Sequence, residues 1–300
     1  MRSATAESYY RRLNRALDFV VRRLDRPPTI EELAAEAAFS RFHFQRMFRA
    51  MTGESVTELV RRLRLERAAH RLRCESATVT EVALDAGYDS AEAFSRAFRR
   101  GCGLSPGRYR TAWPPPAFGS PTARVRYYPG EERAEIDSPT GEISMEVRIE
   151  MFDAINVARV RHVGPYNEVG PCFERLFEWA ATIGVRPGRV LSLSYDDPDA
   201  VAPESLRSDA CVELRTDASP PTGISMDSVG AGRYAVYTHR GPYDGIAEAY
   251  KRLFTLWLPG SGGEMDDRPC MEIHRNSPLD TAPAQLLTDL CLPLRPVPEG

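Results

Sequence analysis

From Thr29 to Gly53 the apolar positions Leu33, Ala34, Ala37, Phe44, Met47 and Phe48 recur at helical spacing, in two groups parted by Ala38-Phe39-Ser40. Pro27 and Pro28 precede the first group, Thr29 and Glu32 form a capping box, and Ser40 is placed to cap the second helix. Two short helices about a tight turn predict a helix-turn-helix. The pattern recurs from Thr78. Glu81, Val82, Ala83, Ala86, Tyr88 and Asp89 repeat Glu32, Leu33, Ala34, Ala37, Phe39 and Ser40. Past the turn, Phe94, Arg96, Phe98, Arg99 and Gly103 repeat Phe44, Arg46, Phe48, Arg49 and Gly53. Between the units, Ser55 to Arg73 predicts a connecting helix of about 27 Å at ~1.5 Å per residue. One chain thus holds two recognition helices about one DNA turn, ~34 Å, apart.

The period is lost from Trp113 to Glu142, where Pro, Gly and charge predict a linker with room for a short strand at Arg124–Tyr128. From Ile143 alternation takes over. Met145–Asp153 and Asn156–Gly164 read as strands, Tyr166–Gly184 as an amphipathic helix, and Arg189–Asp197 and Asp209–Thr216 as strands. The same order follows from Gly223 to Arg295. RHVGPYNEVGPCFERLF, from Arg161, and THRGPYDGIAEAYKRLF, from Thr238, share eight of 23 positions over Ile155–Phe177 at an offset of 77. LRSDACVELR and LLTDLCLPLR match at an offset of 80. Such duplication predicts two units about a pseudo-twofold axis, with a ligand cleft where they meet. The shared His-x-Gly-Pro-Tyr reads as a turn that launches each helix, with His162 and His239 structural. The expected fold is an all-α double helix-turn-helix domain (1–112), a linker (113–142), and an α+β domain of duplicated strand-helix-strand-strand units (143–297).

Charge sharpens this division. The net charge of −3 conceals 21 Arg against 14 acidic residues up to Ala112, about +7, and 18 basic against 28 acidic residues beyond it, about −10. A basic third joined to an acidic remainder suggests a polyanion-binding module attached to something else. The six cysteines are scattered without a Cys-x-x-Cys pair, which predicts small buried hydrophobes in a reducing compartment and no structural zinc. No metal or cofactor is expected. There is no run of about 18 apolar residues and no apolar stretch at the start, so a cytoplasmic protein with no membrane contact is expected.

SRFHFQRMF and GYDSAEAFSRAFRRGCGLSPGRYR carry a resemblance, over Tyr9–Arg110, to the AraC/XylS transcription regulators. The resemblance implies a seven-helix domain with both recognition helices in successive major grooves of double-stranded DNA, and a contact with RNA polymerase. Carried over by position, Phe42, Gln45 and Arg46 meet bases in the first unit, and Ala91, Glu92, Ser95 and Arg96 face DNA in the second. Arg pairs bidentately with guanine and Gln with adenine, while Arg41, Arg49, Arg99 and Arg100 hold phosphates. Phe42 serves equally as packing or as a thymine-methyl contact, and His43 and His70 read as surface residues. Family members often carry Gln or Thr at the positions of Ala91 and Ser95, so the second helix is expected to read fewer bases.

Ile143–Val297 resembles the GyrI-like effector-binding domains, on HVGPY, HRGPY, YAVYTHRGPY, Trp257-Leu258-Pro259, PCMEI and LCLPL. That family implies a central cavity for lipophilic, frequently cationic compounds, and its pairing with an AraC-type domain occurs among multidrug-responsive activators. In CMEIHR, alternation turns Met271 and Ile273 towards the helices and Glu272 and His274 the other way. The repeat-equivalent of Glu272 is Ser192, so the fold itself does not require this carboxylate. Glu272 is the candidate anchor for a small-molecule effector, with His274 beside it and Trp257, Tyr166, Tyr195 and Tyr243 as aromatic walls. The bland reading makes Glu272 a surface residue and the tyrosines packing; Glu213 is a weaker second carboxylate. No Gly-x-Ser-x-Gly, His-Glu-x-x-His or phosphate loop is present, so no catalytic residue is assigned. The alternative is hydrolysis of reactive electrophiles, with Glu272 as general base.

Overall fold

The computed structural model describes residues 4–118, 123–137, 145–196, 198 and 201–296, save the side chains of 4–6 and 42. The chain divides into two compact units, one of Glu7–Thr140 and one containing Gly141–Gly300. Expected boundaries at 142, 143 and 297 lie outside the described residues.

The first unit is helical: α1 (Ala4–Arg22), α2 (Ile30–Glu36), α3 (Arg41–Thr52), α4 (Val56–Cys74), α5 (Val79–Asp85), α6 (Ala91–Cys102) and α7 (Pro106–Tyr109). The caps follow from the sequence. Thr29 and Glu32 close a capping box on α2, Thr78 and Glu81 repeat it on α5, and Ser40 accepts from His43 N at the start of α3. The α6 cap is Ser90, one residue past Asp89, because the second turn is one residue longer. Both recognition helices end on a left-handed glycine, Gly53 (φ 79) and Gly103 (φ 80), a conformation that costs Gly nothing. Leu65, Leu72, Val82, Phe94 and Phe98 join α4, α5 and α6 in one core.

Within the stretch read as a linker, the structure builds a hairpin, β1 (Val125–Tyr128) and β2 (Arg133–Ile136), paired from Val125↔Ile136 to Tyr128↔Arg133. Its alternate residues Val125, Tyr127, Ala134 and Ile136 are buried. The chain reaches it by way of Phe118, whose ring meets Phe98 at 5.0 Å and lies against Gly101 at the end of α6. It then docks on the first helix-turn-helix, with Arg124 N donating to Thr52 O (2.7 Å) and Arg62 Nη2 to Val125 O (3.2 Å). The segment is therefore a strap that touches both helix-turn-helix units. Its period was hidden because each strand is only four residues long.

The second unit is an eight-stranded antiparallel sheet: β3 (Val147–Phe152), β4 (Ile155–Val163), β5 (Val190–Ser194), β6 (Arg207–Glu213), β7 (Ser225–Val229), β8 (Gly232–Arg240), β9 (Cys270–His274) and β10 (Leu287–Pro293). Helix α8 (Gly170–Thr182) follows β4; α9 (Ile246–Arg252) follows β8 and runs through a π turn, Leu253–Trp257, into the short α10 (Leu258–Gly260). The strand order β3-β8-β10-β9-β5-β6-β4-β7 is symmetric about the β9–β5 pair. The duplication has one unforeseen feature. Each repeat's leading strand is exchanged: β3 pairs with β8 of the second repeat, and β7 with β4 of the first.

One sheet face carries a core of strand residues alone, among them Ile155, Leu191, Cys211, Val236, Met271 and Ile273. Phe152 and Val229, on the two edge strands, pack on the same cluster, so the sheet must curl to bring its edges together. The other face carries α8, whose Leu176, Trp179 and Ala180 pack on Ala158, Val160, Ala210 and Val212.

Candidate functional site

The two recognition helices differ in exposure. On α6, Glu92, Arg96, Arg99 and Arg100 are exposed, Ala91 and Ser95 are half-buried, and Phe94, Ala97 and Phe98 form the hidden side. On α3, Arg41 is exposed and pairs with Glu31 (2.9 Å), Arg49 pairs with Glu58 (3.2 Å), and Gln45 is half-buried. The side chain of Phe42 lies outside the described residues. Two expectations fail here. Arg46, expected on the outward face, is 8% exposed, whereas its counterpart Arg96 is open to solvent. His43, expected at the surface, is 1% exposed, its ring 4.5 Å from Phe39 and 6.1 Å from Tyr9. The cause for His43 is the aromatic cluster that α1 and the turn supply.

In the second unit the expected directions of the β9 side chains are reversed. Met271 and Ile273 belong to the strand-only core, and Glu272 and His274 face the helix side. The curl of the sheet explains this, because it supplies an apolar core on the face where a flat sheet would meet water. Glu272 stands opposite Ser192 in the β5–β9 register, at the centre of the pseudo-symmetric sheet. His274 Nε2 lies 3.0 Å from Ser192 Oγ, and the rings of Tyr243 and Phe173 meet the imidazole edge-on at 5.4 and 6.0 Å. Burial, then the Glu272 charge, raise the Tyr243 phenol above its ordinary pKa.

Glu272, His274 and Tyr243 thus come together as expected, joined by Ser192 and Phe173, which sequence reasoning missed. Neither carries a motif, although Ser192 was visible as the repeat-equivalent of Glu272. Tyr195 does not join them. It sits on the opposite face, its hydroxyl donating to Asp209 (2.7 Å) and its ring under Arg161, because it is an odd number of residues from Ser192 along the strand direction. Tyr166 turns its hydroxyl to Asp196, donating to O (2.7 Å) and accepting from N (3.0 Å). Trp257 is half-buried at the end of the π turn. Glu213 is held by Arg189 (2.8 Å), whose hydrogen bonds lower its pKa. The paired histidines are structural: Nε2 of His162 meets Pro165 O (2.9 Å), and that of His239 meets Pro242 O (3.1 Å).

Burial lowers the His274 pKa from 6.5 to about 4. As pH falls below 6.5 the unfolded chain takes this proton and the folded chain does not, so stability falls with pH through that window. Between pH 7.5 and 5 the loss attributable to His274 is expected to be about 2 kcal/mol. Urea unfolding of the wild type and His274→Leu at both pH values checks it; equal pH dependence in the two proteins would contradict the assignment.

Residues 145–295 match the family described as the GyrI-like small molecule binding domain, half of the chain. The chain belongs to the GyrI-like family. Residues 33–112 match the helix-turn-helix domain family, so a DNA-binding region and a GyrI-like domain share one polypeptide. The GyrI-like half is similar to a DNA gyrase inhibitor of Edwardsiella piscicida, 35% identical over 156 residues that cover 50% of this chain and 99% of that one. Nearly the whole chain is similar to the right origin-binding protein of Escherichia coli K12, 25% identical over 286 residues, 91% of this chain and 94% of that one. The transcriptional regulator Rob of Salmonella typhimurium is 35% identical over 96 residues, 32% of this chain and 33% of Rob. The protein is accordingly a helix-turn-helix transcription regulator with a GyrI-like small-molecule-binding domain. Among the described residues no helix is long and apolar enough to cross a membrane.

Proposed function

We propose that the protein is an effector-responsive regulator: α6 and α3 engage an operator, and the groove at Glu272 senses a lipophilic, cationic small molecule. The observation that supports this most is the asymmetry at the centre of the duplicated sheet. The repeat supplies matching strands, and a carboxylate stands on one side of the axis where Ser192 stands on the other. A carboxylate near aromatic rings suits a cation, which gains from both charge and ring faces. Effector binding shifts DNA binding only by as much as it prefers one state of the protein. RNA polymerase is the proposed third partner, as in the regulators this chain resembles. We place sensing ahead of hydrolysis and propose no enzymatic turnover, since a groove fused to a DNA-binding domain serves as a switch input.

For DNA, Arg96 is assigned to base reading and Arg99 and Arg100 to phosphates, since all three are exposed on α6. Arg96→Ala should cost about 1–3 kcal/mol on a selected site and little on random duplex, while Arg99→Ala weakens both alike. Fluorescence anisotropy with both duplexes tests this. Equal losses on the two duplexes in both variants would sink the assignment. Arg46 serves the same role in α3 only once its buried side chain is released.

A further inference from the structure

Two recognition helices in one chain read DNA together only if the distance and angle between them match the duplex. Here α4 joins the two helix-turn-helix units, and helices of its length rarely stay straight. The strap supplies the rigidity that α4 lacks. At one end, Phe118 packs on the core of the second unit, its ring 5.0 Å from Phe98 and 5.7 Å from Tyr109. Six residues on, Arg124 N donates to the carbonyl of Thr52, the last residue of α3. The hairpin then lies along α4. Arg62 donates to Val125 O, and Gly130 stands against His70, eight residues or about 12 Å further along the helix.

Gly101 records the fit. Glycine in a helix is unfavourable relative to alanine, yet it stands in the last turn of α6. A Cβ at this position would lie 2.9 Å from Cδ1 of Phe118 and 3.2 Å from Cε1. The ring is wedged against Phe98 and Tyr109, so a methyl group there must displace it. Phe118 itself lies outside residues 33–112, the stretch matched by the helix-turn-helix family. We infer that Phe118 is a positioning residue for DNA binding: through it the strap holds α6 at a fixed distance and angle from α3, so that the pair fits one spacing of half-sites. This rests on the reading that both helices engage one operator.

Fixed spacing changes what each recognition helix gains from the other. Once one is seated, a fixed partner meets its groove at high effective concentration, and a duplex of the wrong spacing forfeits that gain. A loosely joined pair must be ordered on every duplex and discriminates little among spacings. The strap grips the C-terminal end of each recognition helix, at Thr52 and Gly101, and leaves Arg96, Arg99 and Arg100 of α6 open to solvent. Phe118 therefore acts through α6 and stands on neither recognition helix.

Fluorescence anisotropy of the full chain tests this on a duplex selected from random sequence and on the same duplex lengthened by one base pair between its halves. The α6 half is the set of positions at which Arg96→Ala relaxes sequence preference. One inserted pair shifts a half-site by ~3.4 Å and turns it by about 35°. The wild type is expected to bind the selected duplex at least about tenfold more tightly than the lengthened one. In Phe118→Ala the ratio should fall to within about threefold, through weaker binding of the selected duplex. Gly101→Ala, a better helix former whose methyl group dislodges the ring, should lower the ratio too, and it reports where Phe118→Ala does not fold. An undiminished ratio in a folded Phe118→Ala or in Gly101→Ala overturns the inference and leaves two-helix binding standing. Equal binding of the two duplexes by the wild type overturns the two-helix reading itself, and the inference with it.

Discussion

Arg62→Met is expected to cost the N-terminal unit about 3–5 kcal/mol of unfolding free energy, the usual loss when one partner of a buried ion cluster is removed. Arg62 lies on α4 with its side chain 10% exposed, between Glu54 (6%) and Glu66 (16%). Its Nε donates to Glu54 Oε2 at 3.0 Å and its Nη1 to Glu66 Oε1 at 2.6 Å, while Nη2 reaches Glu54 and the Val125 carbonyl of the strap. Burial already raises the Glu66 pKa against the opposing pull of Arg62. Without Arg62, two carboxylates stay buried without a cation and the strap loses an anchor. Protonation relieves the first fault, so the deficit should shrink as pH falls towards 5. Methionine fills most of the volume, which separates the charge effect from a cavity. Urea unfolding of the full chain reads the loss, and the triple variant with Glu54→Gln and Glu66→Gln should recover much of it. A single variant within about 1 kcal/mol of the wild type would show the cluster to be solvated and the strap loosely held.

Glu272→Gln should weaken binding of a lipophilic aromatic amidinium by roughly ten- to a hundredfold, corresponding to the ~1.5–3 kcal/mol of a hydrogen bond to a charged group. The side chain keeps its size and one acceptor, so the loss reports charge. Uncharged aromatics of the same shape should bind both proteins alike. Titration calorimetry with the two ligands distinguishes this from a general collapse of the groove, in which both affinities would fall. The same variant tests the catalytic alternative: turnover of an electrophile by the wild type, lost in Glu272→Gln with affinity intact, would favour a general base.

The two helix-turn-helix units were legible because capping boxes and helical spacing act over a few residues. Thr29, Ser40, Thr78 and Gly103 sit where local chemistry puts them. The duplicated α+β unit was legible from identity at two fixed offsets. The facing of β9 was not, since alternation gives two faces and cannot name them. Which face meets helices depends on the curl, in which Phe152 and Val229, at opposite ends of the sheet, pack on one cluster. Tyr195 was misplaced although its spacing was readable: three residues from Ser192, it falls on the other face of the sheet. The burial of Arg46 and His43 reflects packing around α3 that no local pattern records, and the exchange of β3 and β7 is a long-range pairing choice.

In the proposed regulation, occupancy of the effector site and DNA binding are coupled. The direct test is the affinity of the full chain for a duplex selected from random sequence, measured by fluorescence anisotropy with and without a saturating lipophilic aromatic amidinium. A change in Kd of about fivefold or more is expected in the wild type, in the range of ordinary allosteric coupling, and none in Glu272→Gln. An unchanged Kd in the wild type, at amidinium concentrations where calorimetry shows the groove filled, would contradict it.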